Sequence, residues 1–599
     1  MSVTVDLSIA DHSAIPRYRP DSPDSGLPAE GSRPTPDSRL QTPDSEPTHD
    51  SRLTTPDSYD VIVIGAGING AGIARDAAMR GLSILLLDKG DISNGTTAWS
   101  TRLIHGGLRY LEHFEFGLVR ESLREREVLL HIAPHLVKPI PMLIPVYRNS
   151  KRSRLAIRAG MIAYDLLSLD KSLPRHQMLG TEQALSKEPG LNSQGLAGAA
   201  MYYDCQAQYA ERLALENAIA AQENGAIVRT YCRVDRFVRE GRRVRGVQYT
   251  DIATGATHEA LSPVTINVSG PWVDEILERS GAGSYRLIGG TKGSHIVVDE
   301  FPGAPRVGLY AEARSDGRPF FIIPWNRLYL IGTTDIRYSG DLDLLTASEL
   351  EIRYLIDEAN RVIPGASLER TSVLYTYAGI RPLPYAEGKQ ESAISRRHII
   401  HDHAEDHAKD SRHPLHGLIS VIGGKLTTYR SLSEQVVDEV FKKLGRTPPR
   451  CRTGEVPLPG AAADNVAGLA DAPGAEPGPD QPTRDHLANV YGSRARLVLE
   501  IVRRQPELAR QIDSHTGAIA AEILFSFDGE LARTLADALL RRTMIGIGPD
   551  LGLGSVEAAL SVCKACLGWS EDRADRERTD YLNYITRFNP APGSSGAEC

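Results

Sequence analysis

Gly65, Gly67 and Gly70 directly follow the apolar segment YDVIVIG, which begins at Tyr59, and they open a segment of helical pattern. At this spacing one glycine allows a tight turn, one lets the backbone approach a pyrophosphate, and one lets helix and strand pack closely. The helix N-terminus then offers unpaired N–H groups and a positive dipole end to phosphates. A second apolar segment, LSILLLD, ends at Asp88, whose carboxylate we expect to accept hydrogen bonds from a ribose. Together these features predict a dinucleotide site.

A second glycine pair lies far downstream, in LISVIGGKLTTYR at residues 418–430. The pattern predicts a buried strand that ends at Gly423 and Gly424, and a helix that begins at or just after Lys425. A helix N-terminus here would stabilise negative charge on a reduced flavin ring; the alternative is one more turn of the sheet. The glycine motif by itself does not separate FAD from NAD. FAD is favoured because this type of fold usually opens the chain in flavoproteins and because this second motif is present.

The elements that must position these residues alternate between strand and helix from Tyr59 to about residue 450, which predicts an α/β body. Residues 1–58 are rich in Ser, Pro, Asp and Thr and repeat the sequence TPDS, so we expect a disordered extension. Residues 459–482 have the composition of a linker or long loop. Residues 483–588 space their apolar side chains by threes and fours, which predicts a separate helical domain.

Composition excludes some classes of function. The net charge is −8 and the sequence pI is about 6.1, so we expect no nucleic-acid partner. No uninterrupted apolar stretch approaches the roughly 20 residues that a membrane-spanning helix needs. The N-terminus lacks the basic and then apolar pattern of a secretory signal. We therefore expect a cytoplasmic protein that does not cross a bilayer.

Taken together, these segments resemble the FAD-dependent, quinone-linked glycerol-3-phosphate dehydrogenases of aerobic metabolism. The match runs from about Tyr59 to Arg430 and keeps several unrelated motifs in the family's order. Two residues depart from the family pattern, Trp99 and Arg102, where smaller residues and Lys are more usual. The matching motifs, in addition to those quoted above, are GAGINGAGIARDAAMRGL, RLIHGGLRYLEHFEFGLVRESLREREVL at 102–129, SGPWVD at 269–274, KGSHIVV at 292–298, IPWNRLYLIGTTD at 323–335 and AGIRPL at 378–383.

The resemblance implies an α/β flavoprotein whose FAD-binding, Rossmann-like domain is of the glutathione-reductase or amino-acid-oxidase type. It also implies a substrate domain with an antiparallel sheet and an all-α C-terminal domain. The expected FAD part is discontinuous, at about 59–112, 202–275 and 370–450. The expected substrate part comprises about 113–201 and 276–369.

The resemblance further implies an activity, the oxidation of glycerol 3-phosphate to dihydroxyacetone phosphate by hydride transfer from C2 to flavin N5. Arg109, Tyr110, Lys425 and Arg396 would bind the substrate, chiefly its phosphate, for which the fork of arginine and the point charge of lysine are suited. Arg381 would lie near C2 and stabilise the developing oxygen charge, and His295 would be the general base. The residues implied to bind FAD are Gly65, Gly67, Gly70, Asp88, Gly106, Gly107, Gly424, Lys425, Leu426 and Thr427.

In the resembling family the electrons pass to a membrane quinone, so the enzyme must touch the inner face of the cell membrane. Residues 147–167 carry five basic side chains, Arg148, Lys151, Arg152, Arg154 and Arg158, and interleave them with Leu155, Ile157, Met161 and Ile162. A basic amphipathic segment of this kind can lie in an anionic membrane interface. The alternative is an ordinary surface helix of the substrate domain. Self-association is also left open.

Other functions remain to be weighed. A glycerol-3-phosphate oxidase would use oxygen as the acceptor, and an FAD amine or amino-acid oxidase would share the fold. The latter would not need several cations that converge on a phosphate. The same cations argue against a flavin-binding scaffold or a tRNA-modifying relative. We expect no metal site, and we interpret the histidines of residues 401–413 as part of a solvated loop.

Overall fold

The computed structural model of the chain describes residues 57–169, 171–283, 285–387, 396–406, 413–461 and 479–589. The expected N-terminal extension, apart from Asp57 and Ser58, therefore lies outside the described residues, as does most of the expected linker at 459–482. The helices are α1 (Ile68–Met79), α2 (Phe116–Ile132), α3 (Arg154–Leu166), α4 (Thr181–Lys187), α5 (Ala210–Glu223), α6 (Val273–Arg279), α7 (Glu349–Val362), α8 (Tyr429–Lys443), α9 (Gln481–Tyr491), α10 (Ala495–Arg504), α11 (Ala520–Gly529), α12 (Leu535–Asp537), α13 (Val556–Leu567) and α14 (Glu571–Ile585).

The strands form three sheets. They are β1 (Asp57–Ser58), β2 (Val61–Ile64), β3 (Ile84–Leu87), β4 (Leu103–Ile104), β5 (Val137–Tyr147), β6 (Gln177–Leu179), β7 (Leu196–Ala207), β8 (Ile227–Arg229), β9 (Cys232–Glu240), β10 (Arg243–Asp251), β11 (Thr257–Leu261), β12 (Val264–Asn267), β13 (Thr291–Val298), β14 (Gly308–Glu312), β15 (Pro319–Trp325), β16 (Leu328–Gly332), β17 (Ile336–Arg337), β18 (Val373–Arg381), β19 (Ile399–Asp402) and β20 (Leu418–Ile422).

The glycine motif belongs to a six-stranded sheet of order β19-β20-β12-β2-β3-β8, parallel except for β19. The central strands β2 and β3 read VIVI and ILLL because both faces of the sheet are covered. Val61 and Val63 face the helices α1, α5 and α8, whereas Ile62 and Ile64 face a small sheet of order β1-β11-β10-β9. The alternation of side chains along each strand thus supplies two separate apolar cores.

The remaining strands form a ten-stranded, mostly antiparallel sheet, which confirms the antiparallel sheet expected from the sequence. In this sheet β13 pairs with β18, so that His295 lies opposite Tyr377 and Thr291 opposite Arg381. One face packs against the C-terminal helices through Trp325, Tyr375 and Tyr377 on the sheet side. Because β18 and much of β7 pair within this sheet, the exact domain boundaries stay a prediction.

Candidate active site

The turn after β2 must be made of glycine at two positions. Gly65 has a φ of +108°, and a Cβ built on it would lie 2.8 Å from Ser269 Cα. A Cβ on Gly70 would lie 1.8 Å from the Gly65 carbonyl oxygen, closer than any real contact. Gly67, in contrast, lines a cavity, and the next residue, Ile68, donates its backbone N–H to Thr97 Oγ1 at 3.1 Å. The turn therefore brings the N-terminus of α1 to the edge of that cavity, where Gly67 has no side chain to cover its backbone.

Asp88 helps to shape the same turn. One carboxylate oxygen accepts the backbone N–H of Ala66 at 2.6 Å, and the other accepts that of Gly90 at 2.8 Å. Burial raises the pKa of Asp88, and these two N–H donors oppose the rise. The carboxylate also lines the cavity. It is therefore placed between the glycine turn and the nucleotide space, and its predicted contact with a ribose stays a prediction.

The cavity at the glycine turn, here called the nucleotide cavity, extends from Asp88 to residues 424–426. Its wall also contains Trp272, whose indole Nε1 is buried and has no hydrogen-bond partner among the described residues. A long cavity with bare glycine backbone at one end and a free N–H donor in its wall fits a dinucleotide such as FAD.

A second cavity, here called the cationic cavity, continues from the first. The two share Trp99, Gly379 and residues 423–426 in their walls. The structure brings together in the cationic cavity all six side chains predicted to bind or act on the substrate, Arg109, Tyr110, His295, Arg381, Arg396 and Lys425. Gly107, Gly424, Leu426 and Thr427 line it as well.

Arg381 and Arg396 are held by one carboxylate. Arg381 donates through Nη1 to Asp335 Oδ1 at 3.1 Å and through Nη2 to Thr333 Oγ1 at 3.0 Å, while Arg396 Nη2 lies 3.4 Å from Asp335 Oδ2. Burial lowers the pKa of Arg381 to about 10, so its guanidinium stays charged at neutral pH. Although burial would raise the pKa of Asp335, the two arginines lower it. Gly293 leaves room for this arrangement, since a Cβ there would lie 2.4 Å from Arg381 Nη2.

Lys425 lies at the junction of the two cavities. Its Nζ is 3.8 Å from the centroid of the Tyr110 ring and 3.2 Å from Ser122 Oγ. Burial lowers the pKa of Lys425 to about 7, with Arg396 adding to the effect and two glutamates opposing it. The ammonium is therefore near its titration midpoint at neutral pH, and an anion bound beside it would favour the protonated form.

His295 is 2% exposed and lies deep in the cationic cavity. Its Nε2 is 2.9 Å from Thr101 Oγ1, its Nδ1 is buried without a hydrogen-bond partner among the described residues, and its ring packs on Tyr377. Burial lowers the pKa of His295 well below its usual value, and the charges of Arg381 and Arg102 lower it further. The imidazole is therefore neutral at physiological pH.

Some expectations need correction. The helix predicted to begin at Lys425 is α8, and it begins only at Tyr429, because Gly423 and Gly424 both adopt positive φ and a turn at residues 426–428 precedes the first helical residue. Gly106 lines neither cavity; its N–H donates to the Tyr164 hydroxyl at 2.9 Å, and a Cβ there would collide with that ring. Gly70, in contrast, has the role expected for one glycine of the motif, close packing of α1 against the strand, and it does not itself line the nucleotide cavity.

The expectation of a solvated histidine loop is wrong for His403, which is fully buried. Its Nδ1 is 3.1 Å from Asp406 Oδ2 and its Nε2 is 2.8 Å from Ser420 Oγ, while His401 Nε2 lies 3.0 Å from Asp406 Oδ1. Burial lowers the pKa of His403 to about 4. His403 therefore joins the turn after β19 to Ser420 in the middle of β20, and Asp406 contacts both histidines.

Sequence reasoning missed Asp335 and Thr101. Asp335 is the acid at the end of the quoted motif IPWNRLYLIGTTD, so its position after a strand was a usable signal. Thr101 carries no comparable signal, because its role depends on His295, which is 194 residues away along the chain.

Comparisons with known proteins agree with this geometry. The sequence model of the family described as FAD dependent oxidoreductase matches residues 60–430, and the model described as C-terminal domain of alpha-glycerophosphate oxidase matches residues 451–574. A glycerol-3-phosphate dehydrogenase of Synechocystis is 47% identical over 88% of this chain and 96% of its own length. Glycerol-3-phosphate dehydrogenase 2 of Mycobacterium tuberculosis is 35% identical over 88% of this chain and 87% of its own length.

The fold has a counterpart among solved structures. The glycerol-3-phosphate dehydrogenase of Bacillus halodurans, solved in complex with FAD, superposes with a TM-score of 0.71 and 27% sequence identity, covering 90% of this chain and 97% of that one. The sequence matches extend over both the FAD-binding body and the helical C-terminal part. The chain therefore belongs to the FAD-dependent oxidoreductase family and, within it, to the glycerol-3-phosphate dehydrogenases.

Proposed function

We propose that this protein oxidises glycerol 3-phosphate to dihydroxyacetone phosphate, with FAD as its cofactor. One observation carries the proposal. Arg109, Arg381, Arg396 and Lys425 line a single cavity that opens onto the nucleotide cavity, with His295 in the same wall. A phosphorylated secondary alcohol needs this combination, namely fixed cations for its phosphate and a proton acceptor for its hydroxyl, both next to the cofactor.

Each part of the cavity has a proposed task. Lys425, Arg109 and Arg396 bind the phosphate dianion and fix the position of C2. His295, neutral because of its burial, accepts the proton of the C2 hydroxyl. Arg381 donates to the same oxygen while negative charge develops on it. When bound, FAD supplies the acceptor of the hydride that leaves C2.

The test of this proposal is an anaerobic titration of the flavin-loaded protein with glycerol 3-phosphate, followed by flavin absorbance. We expect bleaching at a stoichiometric amount of substrate and none with glycerol, which lacks the phosphate. An absence of bleaching in a protein that demonstrably binds FAD, together with bleaching by an amino acid, would contradict the proposal and favour the amino-acid oxidase alternative.

The Lys425 ammonium gives a pH prediction. Because its pKa is lowered to about 7, we expect kcat/KM to fall as pH rises through that value, approaching about tenfold per unit as the proton is lost. Lys425→Met should lower kcat/KM at pH 6.5 by about ten- to a hundredfold and abolish this fall. Lys425→Arg should keep activity without the fall near pH 7, because arginine stays protonated.

Steady-state kinetics between pH 6.5 and 9 check this prediction, since phosphate monoesters with a second pKa near about 6 are then largely dianionic. If Lys425→Met kept the alkaline fall of the unchanged protein, the titrating group would be a different one.

For the electron acceptor we propose a membrane quinone, reached from an exposed apolar surface that we name the apolar corner. In α3 the apolar side chains divide: Ile157 and Met161 are buried, whereas Leu155, Ile162 and Leu166 are exposed. The members of the apolar corner are Phe114, Phe116, Leu155, Ile162, Leu166 and Leu169, each at least 45% exposed. Exposed apolar side chains grouped near basic residues are typical of proteins that dock on a bilayer.

Two further observations bear on the apolar corner. Arg120, near the start of α2, donates to the Leu167 carbonyl at 2.7 Å. This hydrogen bond connects α2, which begins at Phe116, to the end of α3. Arg152, one of the five basic residues of the segment, forms ion pairs with Glu112 and Glu312. No helix among the described residues is long and apolar enough to cross a bilayer.

We expect the double variant Phe114→Ser/Phe116→Ser to bind vesicles of phosphatidylglycerol and phosphatidylcholine at least about tenfold more weakly, because burial of each aromatic side chain contributes about 1.5–3 kcal/mol. A flotation or sedimentation assay measures the change. The matched control is Leu344→Ser/Leu350→Ser, which removes two exposed apolar side chains outside the corner. Equal loss in both variants, or none in the first, would contradict the assignment of the corner.

Oxygen is the competing acceptor, since the C-terminal family model carries the description of an oxidase. Reoxidation of the substrate-reduced flavin, timed against a soluble quinone and against dissolved oxygen, separates the two. We expect the quinone to react faster and to produce no peroxide.

A further inference from the structure

The end of the C-terminal helical part reaches the nucleotide cavity. Helix α14 continues into a short 3₁₀ turn at Thr586–Phe588, and both Arg587 and Phe588 line the cavity together with Gly65 and Gly67. These two residues lie beyond residue 574, where the match to the C-terminal family model ends. This part of the cavity wall therefore lies outside the residues that the two family models match.

Contacts on both sides hold this turn in place. The Phe588 ring lies 5.0 Å from Trp99, and the Phe588 carbonyl accepts a hydrogen bond from Thr376 Oγ1 at 3.2 Å. The Tyr584 hydroxyl donates to Asn94 Oδ1 at 2.9 Å. Trp99 and Asn94 themselves line the cavity. The turn and the cavity wall thus form one packed unit.

Arg587 is a cation without a carboxylate in this unit. Its guanidinium carbon lies 4.1 Å from the centroid of the Tyr584 ring, which orients it, and its Nε is buried with no hydrogen-bond partner. Within the described residues no acid pairs with it. Two other cations in the cavity wall are paired, Lys89 with Asp343 and Arg233 with Asp235.

Arg587 lines the cavity and has no acid partner among the described residues, so it is available to an anionic ligand there. The anionic part of FAD is its diphosphate, and arginine is the side chain best suited to donate several hydrogen bonds to phosphate oxygens. The first turn of α1 contains no charged side chain of its own. The helix dipole alone offsets only part of the negative charge of a diphosphate, so a cation from another element would offset more of it.

We propose that Arg587 binds the diphosphate of FAD, and that the C-terminal turn at residues 584–588 closes the nucleotide cavity over the cofactor. The helical C-terminal part then contributes directly to cofactor retention. This inference concerns the binding of FAD and not the proposed substrate. It therefore does not depend on which alcohol the enzyme oxidises.

The test is the rate of FAD release from the flavin-loaded, full-length protein after dilution, followed by the rise in flavin fluorescence without substrate. We expect Arg587→Met to release FAD about ten- to a hundredfold faster, as for the loss of a charge-assisted hydrogen bond. Arg587→Lys should release FAD at a rate between those of the unchanged protein and Arg587→Met, because lysine keeps the positive charge. Arg578→Met is the matched control, since Arg578 lies on α14, which leads into this turn, but pairs with Glu557 at the surface, and it should release FAD at the unchanged rate.

A phosphorus NMR spectrum of the bound cofactor tests the contact itself and remains readable in Arg587→Lys, which retains FAD. We expect the two diphosphate resonances to move from their positions in the unchanged protein. Unaltered release from Arg587→Met would overturn the proposal. Release from Arg587→Lys as fast as from Arg587→Met, or unmoved phosphorus resonances, would equally overturn it, because the charge would then not act on the diphosphate.

Discussion

Replacement of Arg381 by alanine is expected to slow flavin reduction by glycerol 3-phosphate about 10²- to 10³-fold while FAD remains bound. The magnitude is that of removing one preorganised donor from a developing oxyanion. Arg381 is suited to this task because Asp335 and Thr333 fix its guanidinium at 3.1 and 3.0 Å and because it stays charged in the cavity. Stopped-flow absorbance under anaerobic conditions measures the rate.

Two variants make this experiment specific. Arg381→Lys keeps a positive charge but loses the forked guanidinium, and we expect it to recover only part of the rate of flavin reduction. Arg245→Ala removes an exposed arginine that pairs with Glu240, and it should reduce its flavin at the unchanged rate. Normal flavin reduction in Arg381→Ala would remove this residue from the mechanism. Loss of FAD from the variant would instead make it a structural residue.

Replacement of Asp91 by alanine is expected to cost about 3–5 kcal/mol of unfolding free energy, the range for removing one partner of a buried ion pair. Asp91 is fully buried and accepts from Arg541 at 2.6 Å and from Arg542 at 2.7 and 2.8 Å. Burial would raise the pKa of Asp91, but the two arginines prevail and lower it to about 2. Removal of the carboxylate would leave two guanidinium groups buried beside the nucleotide-binding body.

The same carboxylate contributes to stability in a defined pH range. A folded-state pKa of about 2 lies below the unfolded value of about 3.9, so the contribution is present above about pH 4 and is lost as pH falls toward 2. Denaturant unfolding at pH 7 and pH 3 measures both effects. The matched control is Glu557→Ala, which breaks an exposed pair with Arg578 and should cost at most about 1 kcal/mol. Equal losses in the two variants would contradict a special role for Asp91.

Much of the site follows from short stretches of sequence. Gly65, Gly67 and Gly70 do so because a strand, a tight turn and a helix are consecutive in the chain, and at Gly70 the neighbouring Gly65 carbonyl itself excludes a side chain. Arg381 ends the apolar strand β18, and Lys425 lies three residues beyond the apolar strand β20, so each position was marked by an apolar strand. The antiparallel sheet was likewise expected correctly.

Other parts of the site depend on residues distant in sequence. Asp335 joins Arg381 to Arg396, and Thr101 contacts His295, yet neither pair has a spacing that a local pattern can reveal. The start of α8 at Tyr429 was misplaced for a related reason, since two glycines with positive φ delay the helix and their conformation depends on what packs against them.

The sequence by itself determined the class of fold and the nucleotide-binding turn, because both depend on residue type at short spacing. Its motifs also determined the family, and the resemblance to that family implied the cationic residues. Only the tertiary structure decided that His403 is buried, that Arg152 is paired, and that Arg587 lines the same cavity as a glycine turn more than 500 residues earlier in the chain. Burial and pairing depend on what packs against a residue across the fold. Hydrophobic periodicity reports which face of an element is buried, but not which other element covers it.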